Sequence, residues 1–210
     1  MNGKNACGCA MLAGGSGSRM GGRNKAELEY GRQTFRERIA SELSGTGMPC
    51  YLSVATYDQE VPDGWTPVKD CVADTEGKYI GPMGGIYSCL KQACEDGLDG
   101  LFFVPCDAPL YAAEVTLKLC GYVDPETDAV IWKTANGRLQ TTFGWYSVRC
   151  LPVLEEDIAN AGYKILKTVE KVRYKIINTT EADLEEKLFM NINNMEEYGR
   201  ISGHMRRDTR

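Results

Sequence analysis

The chain has 210 residues, 43% hydrophobic and 25% charged, a length that supports one core burying about 70% of the unfolded surface without cross-links. Its net charge of −5 argues against nucleic acid as the main partner, because that binding is driven by basic patches, and no apolar run reaches the roughly 18 residues of a membrane span. Nine cysteines with no leading apolar h-region, and one histidine, His204, argue against a disulfide scaffold and against Ser-His-Asp or His-rich metal chemistry, so a cytoplasmic chain is expected.

Ala6 to Leu12 (ACGCAML) is a short continuous apolar run ending in a glycine-rich loop, the pattern of a buried parallel strand. From Thr34 to Leu43 the apolar residues fall at 35, 39, 40 and 43, a helical period, with Thr34 as N-cap and Glu37 completing a capping box. Cys50 to Ala55 reads as a second strand and Trp65 to Lys69 as a short third. Gly81 to Cys94 opens with Gly81 and Pro82 and then carries apolar residues at 83, 86, 87, 90 and 93, a helix entered through a tight turn. Gly100 to Pro105 (GLFFVP) is the strongest central-strand candidate, followed by Cys106-Asp107-Ala108-Pro109 and a helix from Ala112 to Cys120. Later strands are expected at Ala129 to Lys133, Thr142 to Val148 and Arg173 to Ile177, and helices at Leu151 to Ala161 and Ile165 to Val172. This alternation predicts an α/β fold with a mostly parallel central sheet, in one domain over residues 1–202, followed by a flexible polar tail over 203–210.

Ligands of such sheets bind beyond the carboxyl ends of the strands. Leu12 to Lys25 reads LAGGSGSRMGGRNK directly after the first strand. It is neither a Walker A loop nor a dinucleotide fingerprint, but five glycines allow the backbone N–H groups to form a nest for phosphate oxygens, which Arg19, Arg23 and Lys25 can neutralise. Composition alone would equally allow a solvated surface loop. Asp70 and Asp107, each just past a predicted strand, turn the reading toward a site, because both would face the same edge. A carboxylate there, opposite bound phosphates, is where Mg²⁺ sits, so Asp107 is read as the metal ligand rather than a helix N-cap. The cysteines, with no Cys-x-x-Cys pair, are read as packing residues. The basic stretch Lys164 to Lys175 is read as a solvated face over an apolar stripe, or else as a wall of the substrate site.

The residues Leu12 to Lys25, Asp70, Gly81-Pro82-Met83-Gly84-Gly85-Ile86, Pro105-Cys106-Asp107-Ala108-Pro109 and Phe189-Met190-Asn191-Ile192-Asn193, taken together and in this order, resemble the signature of the molybdenum cofactor guanylyltransferase (MobA-like) family of nucleotidyltransferases. The resemblance implies a three-layer Rossmann-like fold, GTP as donor, Mg²⁺ as cofactor, and transfer of GMP to the phosphate of molybdenum-molybdopterin with release of pyrophosphate. It places Leu12, Ala13, Gly14 and Gly15 in the nucleotide-binding segment, Arg19 and Lys25 on the phosphates, Asp70 on the nucleoside and Asp107 on the metal. Arg19, Lys25 and Asp107 would then carry catalysis. Proteins that insert or deliver the cofactor are implied as partners. Gly14-Gly15 and Pro-Cys-Asp resemble the guanine-using members; the alternative is a cytidylyl- or other nucleotidyltransferase acting on molybdopterin or a sugar or alcohol phosphate. The chain departs from the family pattern at Asn24, at Ser53-Val54 and near Gln140-Thr141.

Overall fold

The computed structural model describes residues 6–13, 25–55, 59–74, 76–77 and 79–208, without the side chains of 25 and 202–208. β1 (Cys7–Leu12) is the buried apolar strand expected. A short 3-10 turn, Lys25–Glu27, leads to a small hairpin of β2 (Glu29–Tyr30) and β3 (Gln33–Thr34), which precedes α1 (Phe35–Ser44). The capping box at α1 is formed as its residues predict. The Thr34 hydroxyl accepts the Glu37 amide at 3.1 Å, and the Glu37 carboxylate accepts the Thr34 amide at 2.7 Å. There follow β4 (Cys50–Val54), β5 (Thr66–Lys69), α2 (Pro82–Glu95), β6 (Gly100–Pro105), α3 (Ala113–Cys120), β7 (Ala129–Lys133), β8 (Leu139–Ser147), α4 (Leu151–Ala159), α5 (Ile165–Val169), β9 (Tyr174–Asn178) and α6 (Met195–Asp208).

Seven strands form one sheet in the order β5-β4-β1-β6-β8-β7-β9. All run parallel except β8, which is antiparallel to both β6 and β7, so the sheet is mostly parallel as anticipated. Alternation along β1 sorts the two faces. Cys9 and Met11 join Ile39 and Leu43 of α1 and Val115 and Leu119 of α3 on one side. Ala10 and Leu12 join Ile86 and Leu90 of α2, Leu154 of α4 and Val169 of α5 on the other. The result is three layers, helix on sheet on helix.

Two elements go beyond the sequence reading. The β2–β3 hairpin has strands of two residues each, too short to show a period. α6 runs through the first six residues of the segment expected to be a tail. Its start is written locally: the Asn194 side chain accepts the Glu197 amide at 2.9 Å, and the Glu197 carboxylate accepts the Asn193 amide at 2.7 Å. Ile201 of α6, Ile192, Phe35 and Leu28 form a small separate core that seats this helix on the hairpin and the start of α1. Among the described residues no helix is long and apolar enough to cross a membrane.

Candidate active site

Along the chain, β4 and β5 are added to one side of β1 and β6 to the other. The crevice beyond the carboxyl ends of β1 and β6 is therefore where strand order reverses, the place at which open α/β sheets receive ligands. Its floor is backbone. Leu12 pairs in register with Pro105, the Cys106 amide donates to Leu12 O at 3.0 Å, and the Ala13 amide donates to Ser53 O at 3.2 Å. Leu12 is buried and Ala13 half-buried at the exit from β1.

Asp107 stands two residues past β6, half-buried, on the far side of this crevice. Its carbonyl accepts the Ile192 amide at 2.8 Å, which draws the Phe189 to Asn193 segment to the same edge. Next to Ile192 in the chain, Asn191 Oδ1 is buried with no hydrogen-bond partner among the described residues. No group of three His, Cys, Asp or Glu side chains could hold a metal among the described residues. One carboxylate and an amide oxygen without a cluster suit a hard ion that takes most of its ligands from phosphate and water, as Mg²⁺ does.

Asp70, just past β5, is fastened by its amide to Val54 O at 2.9 Å and by Oδ1 to the Ser53 hydroxyl at 2.7 Å. Only 6% of the residue is exposed. Burial pushes its carboxyl above the usual carboxylate range, and the Ser53 hydrogen bond pulls partly back. A raised carboxyl destabilises the folded state at pH values above its folded pKa, and the penalty disappears below the unfolded value. Asp70→Asn is accordingly expected to raise the melting temperature near pH 8, with the gain fading as pH falls through the titration of the wild-type carboxyl; a thermal melt series across pH checks both.

α2 supplies the wall behind this pair. Gly81 enters the helix at φ 76° and ψ −151°, a conformation that L side chains rarely adopt, and Pro82 occupies the first turn. Gly85 faces the site: a Cβ there would lie 2.6 Å from Ser53 Oγ and 3.0 Å from Leu12 Cδ2. Gly85 is thus needed for close packing of α2 on β1 and β4.

Leu12, Ala13, Asp70 and Asp107 therefore converge on one edge. Gly14, Gly15 and Arg19 lie outside the described residues, as does the side chain of Lys25, whose backbone opens the 3-10 turn. Gly85 and Asn191 enter the sequence reading only as members of quoted motifs and Ser53 only as a departure from the family pattern; no role was assigned to any of the three, since a serine in a strand and one glycine among several carry no distinctive spacing.

The basic stretch does not line the crevice. Arg173 reaches Asp128 at 3.0 Å and Glu126 at 2.6 Å, and Arg149 reaches Asp128 at 2.7 Å, all at the amino end of β7, opposite the site. Lys171 pairs with Asp157 and Lys175 with Asp124. The reading as a wall of the substrate site is corrected for these residues: carboxylates of α4 and of the loops around β7 hold them. None of the nine cysteines is joined in a disulfide among the described residues, and burial pushes Cys7 up to about 11 and Cys150 up to about 12, so both persist as neutral thiols in the packed interior. Trp65, Trp132, Trp145 and Tyr146 are buried, so none of these rings stacks at the open edge.

Residues 9–173 match the family model described as the MobA-like NTP transferase domain. The molybdenum cofactor guanylyltransferase of Vibrio campbellii is 31% identical over 189 residues, covering 89% of this chain and 90% of that protein. The Vibrio cholerae protein of the same name is 29% identical over 187 residues, covering 89% and 87%. Among solved structures, molybdopterin-guanine dinucleotide biosynthesis protein A from Archaeoglobus fulgidus superposes with a TM-score of 0.74 at 20% identity, over 95% of this chain and 98% of that one.

Proposed function

Because the chain belongs to the MobA-like NTP transferase family, we propose that it transfers GMP from GTP to the phosphate of molybdenum-molybdopterin, releasing pyrophosphate. The observation that supports this reading is the crevice between β1 and β6, with the start of the glycine loop on one lip and Asp107 on the other.

The chemistry asked of the side chains is modest. A phosphate monoester has a second pKa near 6 and arrives at neutral pH already largely ionised, so an in-line attack on the α-phosphorus needs no strong general base. The one histidine of the chain, at position 204 in α6, is not required. What remains is orientation and charge. Leu12 and Ala13 fix the nucleoside end, Asp70 accepts a hydrogen bond from it, and Lys25 and Arg19 neutralise the pyrophosphate leaving group. A carboxylate beside a polyphosphate repels it unless a cation lies between them. Asp107 is the residue that would hold Mg²⁺, with Asn191 on the segment tied to it, and the chemistry such an ion would supply is Lewis-acid neutralisation of phosphate charge.

A thermal-shift panel of GTP, CTP, ATP and UTP, each with and without Mg²⁺, tests the reading. Stabilisation is expected with GTP and to increase with Mg²⁺. A response to CTP instead would transfer the chain to cytidylyl transfer, and no response to any nucleotide would remove the enzyme reading. Lys25→Ala should weaken GTP more than GMP, as measured by titration calorimetry; equal losses would mean that Lys25 does not contact the β- or γ-phosphate.

A further inference from the structure

We infer that Ser53 is a positioning residue whose hydroxyl takes up Oδ1 of Asp70, so that the carboxylate offers a single oxygen, Oδ2, to one N–H or O–H donor of the nucleoside. The substrate in this statement rests on the guanylyltransferase reading above; the pairing itself does not.

Four observations carry it. Ser53 is 1% exposed, so it has no path to a ligand of its own. Its hydroxyl lies 2.7 Å from Asp70 Oδ1, and Oδ2 takes no hydrogen bond among the described residues. The Asp70 backbone is already pinned by its amide to Val54 O at 2.9 Å, and the carboxylate torsion is broad and soft, so that one hydrogen bond can settle it. Finally, α2 carries a hydrogen atom at Gly85 where any Cβ would sit 2.6 Å from Ser53 Oγ, so the helix leaves room for the hydroxyl in this orientation.

The electrostatics agree. Among the described residues no cation acts on Asp70; burial disfavours its charge, and the Ser53 hydroxyl favours it. From α2 the titratable group facing it is the thiol of Cys89, fully buried and pushed up by burial, while Ser88 is engaged by the Cys71 amide at 3.0 Å. A buried carboxylate held, among the described residues, by one hydroxyl is a poor stabilising device, which is what a group held for a ligand looks like. A carboxylate with both oxygens open could grip two adjacent donors; with Oδ1 committed to Ser53, it selects one.

The test uses the full chain with Ser53→Ala and, as the conservative variant, Ser53→Thr. Two readouts are taken: carbon-13 titration of the Asp70 carboxyl without nucleotide, assigned by its loss in Asp70→Asn, and steady-state kinetics with GTP. In Ser53→Ala the carboxyl should titrate at higher pH, and KM for GTP should rise roughly tenfold with kcat within about twofold, the size of one lost hydrogen bond to a charged group. Ser53→Thr should restore both. An Ser53→Ala protein with unchanged KM, or one that loses kcat instead of KM, overturns the positioning role while leaving the guanylyltransferase reading intact. A Thr variant that titrates like wild type yet keeps the Ala variant's KM overturns it as well. Wild-type protein that binds no nucleotide, with the titration difference still present, overturns the substrate reading and with it the role given to Oδ2.

Discussion

Asp107→Asn is expected to lower turnover by about 10²-fold or more while the fold and melting temperature stay near wild type. The residue is half-buried in the loop past β6, and the bond that ties this loop to the Phe189 to Asn193 segment uses its backbone carbonyl, so the substitution leaves that anchor in place. Asparagine keeps the shape and removes the charge. If the carboxylate holds the cation that screens it from the phosphates, the loss should persist at saturating GTP and shrink only partly at high Mg²⁺. Turnover near wild type at limiting Mg²⁺ would sink the metal assignment. The companion Asp107→Ala variant, assayed for Mn²⁺ binding by paramagnetic resonance in the presence of GTP, reads the same residue without relying on product formation.

The second large effect is expected at Gly85. Gly85→Ala should destabilise the protein by about 1–2 kcal/mol, the cost of overpacking less the helix propensity gained over glycine. For a chain of this length that is a fall in melting temperature of about 2–8 °C. The atoms it meets are Ser53 Oγ and Leu12 Cδ2, so Ser53 must leave Asp70 or α2 must move off the sheet. KM for GTP should rise with the loss of stability. Gly84→Ala is the internal control. Its Cβ would meet Ile80 Cγ1 at 3.2 Å, the side chain of a half-buried residue that can shift by a few tenths of an ångström, so its stability should stay within about 0.5 kcal/mol of wild type. Equal destabilisation by both substitutions would show that the helix rejects any methyl group there and that the contact with Ser53 has no special part.

Both predictions turn on features of different legibility. The place of Asp107 at the carboxyl edge was readable because it stands directly after a strongly apolar strand, in a chain whose first strand ends in glycines. Asp70 was readable for the same reason. The capping box of α1 and the glycine and proline entry to α2 were equally plain, since each is a local hydrogen-bonding or backbone requirement written within four residues. The start of α6 carried a comparable signal in Asn194 and Glu197, overlooked because the charged residues after Gly203 suggested a frayed end.

Other features had no local signature. The antiparallel insertion of β8 between β6 and β7 is a matter of which edges meet, and a strand reads the same in either direction. The partners of Lys171, Arg173 and Lys175 lie 14 to 51 positions away, so the same basic run could have faced a phosphate or, as it does, Asp157, Asp128, Glu126 and Asp124.

Composition together with the periods of two and 3.6 residues determined the α/β class, and the residue counts left one histidine and no Cys-x-x-Cys pair on which chemistry could centre. Tertiary structure decided what surrounds each chemical group. Ser53, 17 residues from Asp70, becomes its hydrogen-bond donor only because β4 and β5 pair in parallel and α2 presents a glycine to them. The strands carry the carboxylates to the edge; packing against them determines how each is held.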